Sequence, residues 1–128
     1  MDTLDAADFF GKAKLATLNW QTSPVWQNNA RDVYPNWVAT FTITYDTTAP
    51  SKPLYIELWD KDLFSNDRAD ISWRSGINSL DLVLNLNDGT WSGDDGFAGD
   101  YVGWSNGEAD GQGGDWDDCS IGFWITVT

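Results

Sequence analysis

Four aspartates, Asp60, Asp62, Asp67 and Asp70, follow directly on the alternating run Leu54-Tyr55-Ile56-Glu57-Leu58-Trp59. Carboxylates crowded into one loop repel, a close pair costing about 4 kcal/mol at an effective dielectric near 20. A hard cation that takes roughly 6–8 oxygen ligands from flexible carboxylate and carbonyl cages relieves that repulsion, and Ca²⁺ is the ion with those habits. The competing reading is structural, because Asp is also an ordinary turn residue and an acidic surface serves solubility.

The composition supports short carboxylates on loops. The chain has 128 residues and a formal net charge of −13, with a sequence pI of about 4.1. Eighteen of its acids are Asp and two are Glu, Glu57 and Glu108. A helical acidic surface would draw on Glu, so the bias places the charge on turns. The length fits one domain, residues 1–128, with a core large enough to fold alone. A negative field of this size repels nucleic acid phosphates, so DNA and RNA are not expected partners. Histidine is absent and Cys119 is the sole cysteine. That excludes zinc sites of the His/Cys type, a Ser-His-Asp triad and an internal disulfide. No charged-then-apolar leader opens the chain and no apolar run would span a bilayer. Met1-Asp2 reads as a start placed inside a longer protein. Cytosolic free Ca²⁺ is too scarce to fill a weak structural site, so an extracellular, cell-surface or periplasmic address is expected.

The elements that must hold the aspartates read as strands. Trp37, Ala39, Phe41, Ile43 and Tyr45 oppose Val38, Thr40, Thr42 and Thr44; Leu54, Ile56 and Leu58 oppose Tyr55, Glu57 and Trp59. Leu80, Leu82, Leu84 and Leu86 oppose Asp81, Val83 and Asn85, and Ile121, Phe123, Ile125 and Val127 share a face. A looser alternation runs from Lys12 to Trp20 through Ala13, Leu15, Thr17 and Asn19. Period two with β-branched and aromatic residues marks half-buried antiparallel strands. Residues 46–53 read as a hairpin loop and Asn87-Asp88-Gly89-Thr90 as a tight turn. These spacings predict an all-β antiparallel sandwich. A Gly/Asp-rich loop at about 92–118 interrupts it, and its Phe97, Tyr101, Trp104 and Trp116 argue for a folded excursion.

Pro35-Asn36-Trp37, the strand after it, the hairpin through Pro50 and Pro53, and Leu54-Tyr55-Ile56-Glu57-Leu58-Trp59-Asp60-Lys61-Asp62 together resemble the central part of a C2 domain. Asp8-Phe9-Phe10-Gly11-Lys12-Ala13 is similar to the segment that opens an earlier strand of that family. The resemblance runs from about Asp2 to Leu86 and implies a C2-like sandwich with Ca²⁺ between two loops at one end. It assigns Asp2 and Asp8 to one loop and Asp60, Asp62 and Asp67 to the other, with Asp70 a competing ligand because Asp67 falls one residue early. Backbone carbonyls at Lys61 or Leu63 would complete the cage. Phe9 stands where the family has Pro. No sequence before Asp2 supplies the family's first strands, which are therefore missing or replaced by Ser120–Val127 through permutation.

The nine tryptophans carry a second reading, a carbohydrate-binding module with a structural calcium, since indoles stack on sugar rings. Trp20, Trp37, Trp59, Trp91 and Trp124 lie in or beside strands, where core packing is the default. Trp104 and Trp116, with Trp26 and Trp73, are the candidates for exposure, and Trp104 and Trp116 the weak ligand-binding pair. Carboxylate pairs could also act on a glycosidic bond. A cation on them removes the raised pKa that a general acid needs, so no enzyme is expected. The sequence thus points to a calcium-binding, non-catalytic module of a larger secreted or surface protein, in which the ion orders loops for a protein, a polysaccharide or a membrane surface. Membrane docking is disfavoured by the negative field and the few basic residues near the loop.

Overall fold

Eleven residues, Ser51–Lys61, form the long strand β3 around which the protein is organised. The computed structural model describes residues 8–26, 33–61, 66–72, 77–94, 102–106 and 119–128. β1 is Phe9–Leu15, β2 Gln21–Thr22, β4 Asn66–Ala69, β5 Leu80–Asn85, β6 Trp91–Gly93, β7 Val102–Asn106 and β8 Ser120–Trp124. Every pairing is antiparallel and the described residues contain no helix, so the protein is all-β.

One sheet has the order β2-β1-β3-β5-β6, with β4 also paired to β3; β7 and β8 form a second, two-stranded sheet. β3 meets β1 along one side from Leu54 to Asp60. Its other side is shared: β5 takes Ser51 to Ile56, and β4 takes Leu58 to Lys61. β4 ends at Ala69 and β5 begins at Leu80, and between them the Ile71 N–H donates to the Asn78 carbonyl at 3.1 Å.

The alternation read in β3 and β5 decides which face is dry. Leu54, Leu58, Leu80, Leu82 and Leu84 are buried together with Phe9, Leu15, Ala69, Ile71, Leu86 and Trp91. Segment 37–45 and β8 lie over this core. Phe41, Ile43, Tyr45, Ile121, Phe123 and Ile125 pack against it, and the Trp91 and Phe123 rings stand 6.0 Å apart. Residues 37–45 keep the alternation seen in the sequence, Trp37, Ala39, Phe41, Ile43 and Tyr45 half-buried and Val38, Thr40, Thr42 and Thr44 exposed, yet they form no ladder. A side chain replaces part of one. The Gln21 amide donates to the Thr40 carbonyl at 2.6 Å and accepts the Thr40 N–H at 3.2 Å.

Two aspartate turns close the end of the sheet remote from the acidic hairpin. Asp46 Oδ1 accepts both the N–H and the hydroxyl of Thr48, and Asp88 Oδ1 accepts the same two groups of Thr90. Backbone donation, then hydroxyl donation, holds both carboxyls below their ordinary value of 3.8. Because the folded values are lowered, the stability these turns add is present above about pH 3.8 and is lost as the pH falls through the lowered values.

Strand β1 begins and ends earlier than the looser alternation predicts. Ala16, at φ 51°, turns the chain after Leu15, and this removes Thr17 and Asn19 from the expected face. β4 and β7 were not predicted at all. Asn66–Ala69 lies within what reads in the sequence as one acidic loop, and Val102–Asn106 lies inside the Gly/Asp-rich segment.

Candidate functional site

At the end of the sheet where β1 starts and β3 turns into β4, the backbone brings together parts of the two loops expected to share an ion. Phe9 pairs with Asp60, and the ladder is extended by the Lys61 N–H donating to the Asp8 carbonyl at 3.0 Å. The Asp8 N–H donates to Asp60 Oδ1 at 2.8 Å. Asp60 is 1% exposed, placed there because position 60 continues the inward series of Leu54, Ile56 and Leu58. Its carboxylate therefore fastens the entry of β1 to the exit of β3.

Across the other edge of β3, Asp60 pairs with Asp67 and Lys61 with Asn66, so the acidic stretch is a hairpin rather than an open loop. Directly opposed residues in an antiparallel pair have Cα atoms about 4.5–5.5 Å apart. Asp2 and Asp62 lie outside the described residues. Asp70 is set apart from this group. It stands three residues beyond Asp67, about 10 Å along an extended chain. It is buried, its Oδ1 accepts the Ser72 N–H at 3.0 Å, and its carbonyl accepts the Cys119 N–H at 2.8 Å, tying the approach to β8 onto the sheet. Among the described residues no three carboxylate or thiol groups form a cluster able to hold an ion. What is described of the expected cage is Asp8, Asp60 and the backbone of Asp67.

A third buried acid was not singled out from the sequence. Asp94 follows β6, and its Oδ2 accepts the Asp81 N–H at 3.0 Å while its own N–H donates to the Asp81 carbonyl at 3.2 Å. It serves the β5–β6 pairing, and no alternation could have flagged it, because it is the first residue past a short strand.

The aromatic residues divide differently from the sequence expectation. Trp91 is buried, but Trp20 is 41% and Trp124 72% exposed. Trp26, expected to be exposed, packs its ring over Gly11, 2.8 Å from where a Cβ would stand. Trp116 and Trp73 lie outside the described residues, and Trp104 is placed by backbone alone, in β7 opposite Gly122. The sheet face turned away from the core is more chemical than the sequence implied. There Trp59 stacks on Phe10 at 6.3 Å, its indole N–H donates to Glu57 at 3.1 Å, and Lys12 Nζ sits 4.7 Å from its ring centre. Arg68, paired with Trp59 across the ladder, makes a 2.8 Å ion pair with Glu57.

Comparison of the chain with protein-family models, with curated proteins and with solved structures finds no match in any of the three.

Proposed function

We propose that the chain is a calcium-binding, non-catalytic module, a C2-like β-sandwich within a larger secreted or surface protein, whose ion joins the segment before β1 to the β3–β4 hairpin. The observation that carries the reading is the register of Asp60 against Asp67. Like charges directly opposed across two strands destabilise their pairing, and desolvation of Asp60 adds to that cost. A divalent cation held by Asp60, Asp62 and Asp67, with Asp2 and Asp8 from the other side, offsets both. Ca²⁺ suits a cage made of carboxylates on a hairpin and on the segment before β1, because it tolerates irregular geometry; Mg²⁺ demands near-octahedral order. The sandwich is supported by the packing of segment 37–45 and β8 over the inner face of the main sheet.

The role of the ion is mechanical. It cancels the repulsion between two acidic segments and so presents a preordered rim to a partner. An ion bound by the folded state alone stabilises it by about 2.7 kcal/mol at a hundredfold excess over Kd, which moves the melting point of a domain this size by about 10 °C. Calorimetric melting in chelator and in millimolar Ca²⁺ should therefore differ by that margin, and superimposed curves would remove the cage. Asp62→Asn should weaken Ca²⁺ binding in titration calorimetry. Asp88→Asn, at the opposite end of the sheet, should leave it as in the parent.

A further inference from the structure

We infer a second binding site, independent of the ion, that takes an acidic sugar: a groove beside the N-terminal half of β3, built for a uronate ring. The groove has a volume of about 840 Å³, within the range of small-ligand pockets. Trp20 and Tyr55 wall it, with Lys14 beside them, and Thr17, Ser51 and Lys52 complete its lining.

The strand register assembles it. Lys14 pairs with Tyr55 across β1 and β3, so the two side chains share the face turned away from the core. The turn at Ala16 then brings the chain back, setting the Trp20 ring 6.5 Å from that of Tyr55 with 43° between their planes, so that the two rings make a corner. Lys14 Nζ stands 5.9 Å from the Trp20 ring centre.

Charge argues for the occupant. In a chain of net charge −13 with seven Lys and Arg residues, most cations should be neutralised by nearby carboxylates. Lys14 instead rests against an indole, and among the described residues it has no ion pair. Lys52, half-buried at the other wall, lies close enough to Asp46 to help hold that carboxyl low. An anion that reaches the groove meets the Lys14 ammonium, with Lys52 shared with Asp46, within an otherwise repulsive surface, which discriminates for a ligand that also gains from the rings. A uronate does both. Its carboxylate pairs with Lys14 or Lys52, its C–H face lies on the exposed indole of Trp20, and its hydroxyls meet Thr17 and Ser51. A bare phosphate would use the charges and waste the aromatic corner; a neutral sugar would use the corner and leave the ammonium groups unanswered.

The probes are an oligogalacturonate hexamer, a neutral gluco-oligosaccharide of the same length, and inorganic phosphate, each titrated by calorimetry and by indole emission. Each titration is run both in Mg²⁺ with a Ca²⁺ chelator and in Ca²⁺. The uronate should bind in both media, since the site does not include the acidic hairpin; binding confined to Ca²⁺ would overturn the groove and leave the ion reading standing. Trp20→Ala should weaken it about tenfold and abolish the emission shift. Lys14→Gln should weaken it about fivefold and flatten its salt dependence, whereas Lys14→Arg should retain most of the affinity. Lys14 is half-buried in β1 and Trp20 lies exposed between β1 and β2, and far-ultraviolet circular dichroism verifies that each variant is folded. Equal affinity for the neutral oligosaccharide, competition by phosphate at the uronate's own concentration, or parent-like binding by folded Lys14→Gln would each refute the assignment.

Discussion

Gly93→Ala should destabilise the protein by about 3 kcal/mol or more, although it adds one methyl group at the surface end of a three-residue strand. Gly93 sits at φ +125°, a backbone conformation that side chains with a Cβ rarely adopt, at a cost of about 1–3 kcal/mol. A Cβ there would also stand 2.5 Å from the Asp81 carbonyl oxygen and 3.1 Å from Leu82 Cα. Both contacts are backbone atoms of the paired strand and cannot swing aside. Overpacking adds about 1–3 kcal/mol to the strain. Gly89→Ala is the matched comparison, since its φ is +74° and the nearest atom, on Val127, is 3.8 Å away; about 1 kcal/mol is expected. Urea unfolding with unchanged m-values measures both. Equal midpoints for the two variants would mean that β6 does not approach β5 as described.

Leu80→Ala should cost about 3 kcal/mol, through lost burial and the cavity left behind. Leu80 is 0% exposed, pairs with Ile56, and belongs to the same inner row as Leu82 and Leu84. Val83, on the same strand, is 47% exposed on the other face. Val83→Ala should therefore change stability by less than about 1 kcal/mol. Because strand periodicity is two, a slip of β5 by one residue would invert these results, so the pair reports register as well as packing.

The two strands whose apolar residues alternate without interruption, β3 and β5, were legible in the sequence, as was the turn at Asn87–Thr90 between β5 and β6. Their side chains alone decide which face is buried. β4 was not legible because Asn-Asp-Arg-Ala has no apolar alternation; its pairing is imposed by the hairpin that folds it back on β3. Segment 37–45 shows the reverse case. Its burial pattern was readable from Trp37 to Tyr45, whereas the bonds its Thr40 makes to the Gln21 side chain, nineteen positions away in the chain, were not. Of the candidate ion ligands, the sequence identified residues that the backbone does bring to one end, Asp8, Asp60 and Asp67. It could not separate Asp70 from them, because the distance between Asp67 and Asp70 depends on β4 being extended rather than looped. The aromatic corner escaped for a similar reason. Trp20 looked like a core residue beside a strand, and only the turn at Ala16 carries it to the surface.

The clamp between Gln21 and Thr40 also sets how the protein comes apart. Hydrogen bonds in a ladder break together, while a layer held by the Gln21 amide, by the Tyr45 hydroxyl donating to the Leu86 carbonyl at 3.2 Å and by apolar contact can lift away without disturbing β3. Residues 37–45 then form a separate opening unit of lower free energy than the main sheet. Lifting it takes Phe41, Ile43 and Tyr45 off the core while the β1–β3–β5 ladder persists. An opened form of this kind is a sheet with part of its apolar side bare and part still under β8, able to pair with another copy of itself before the ladder unfolds.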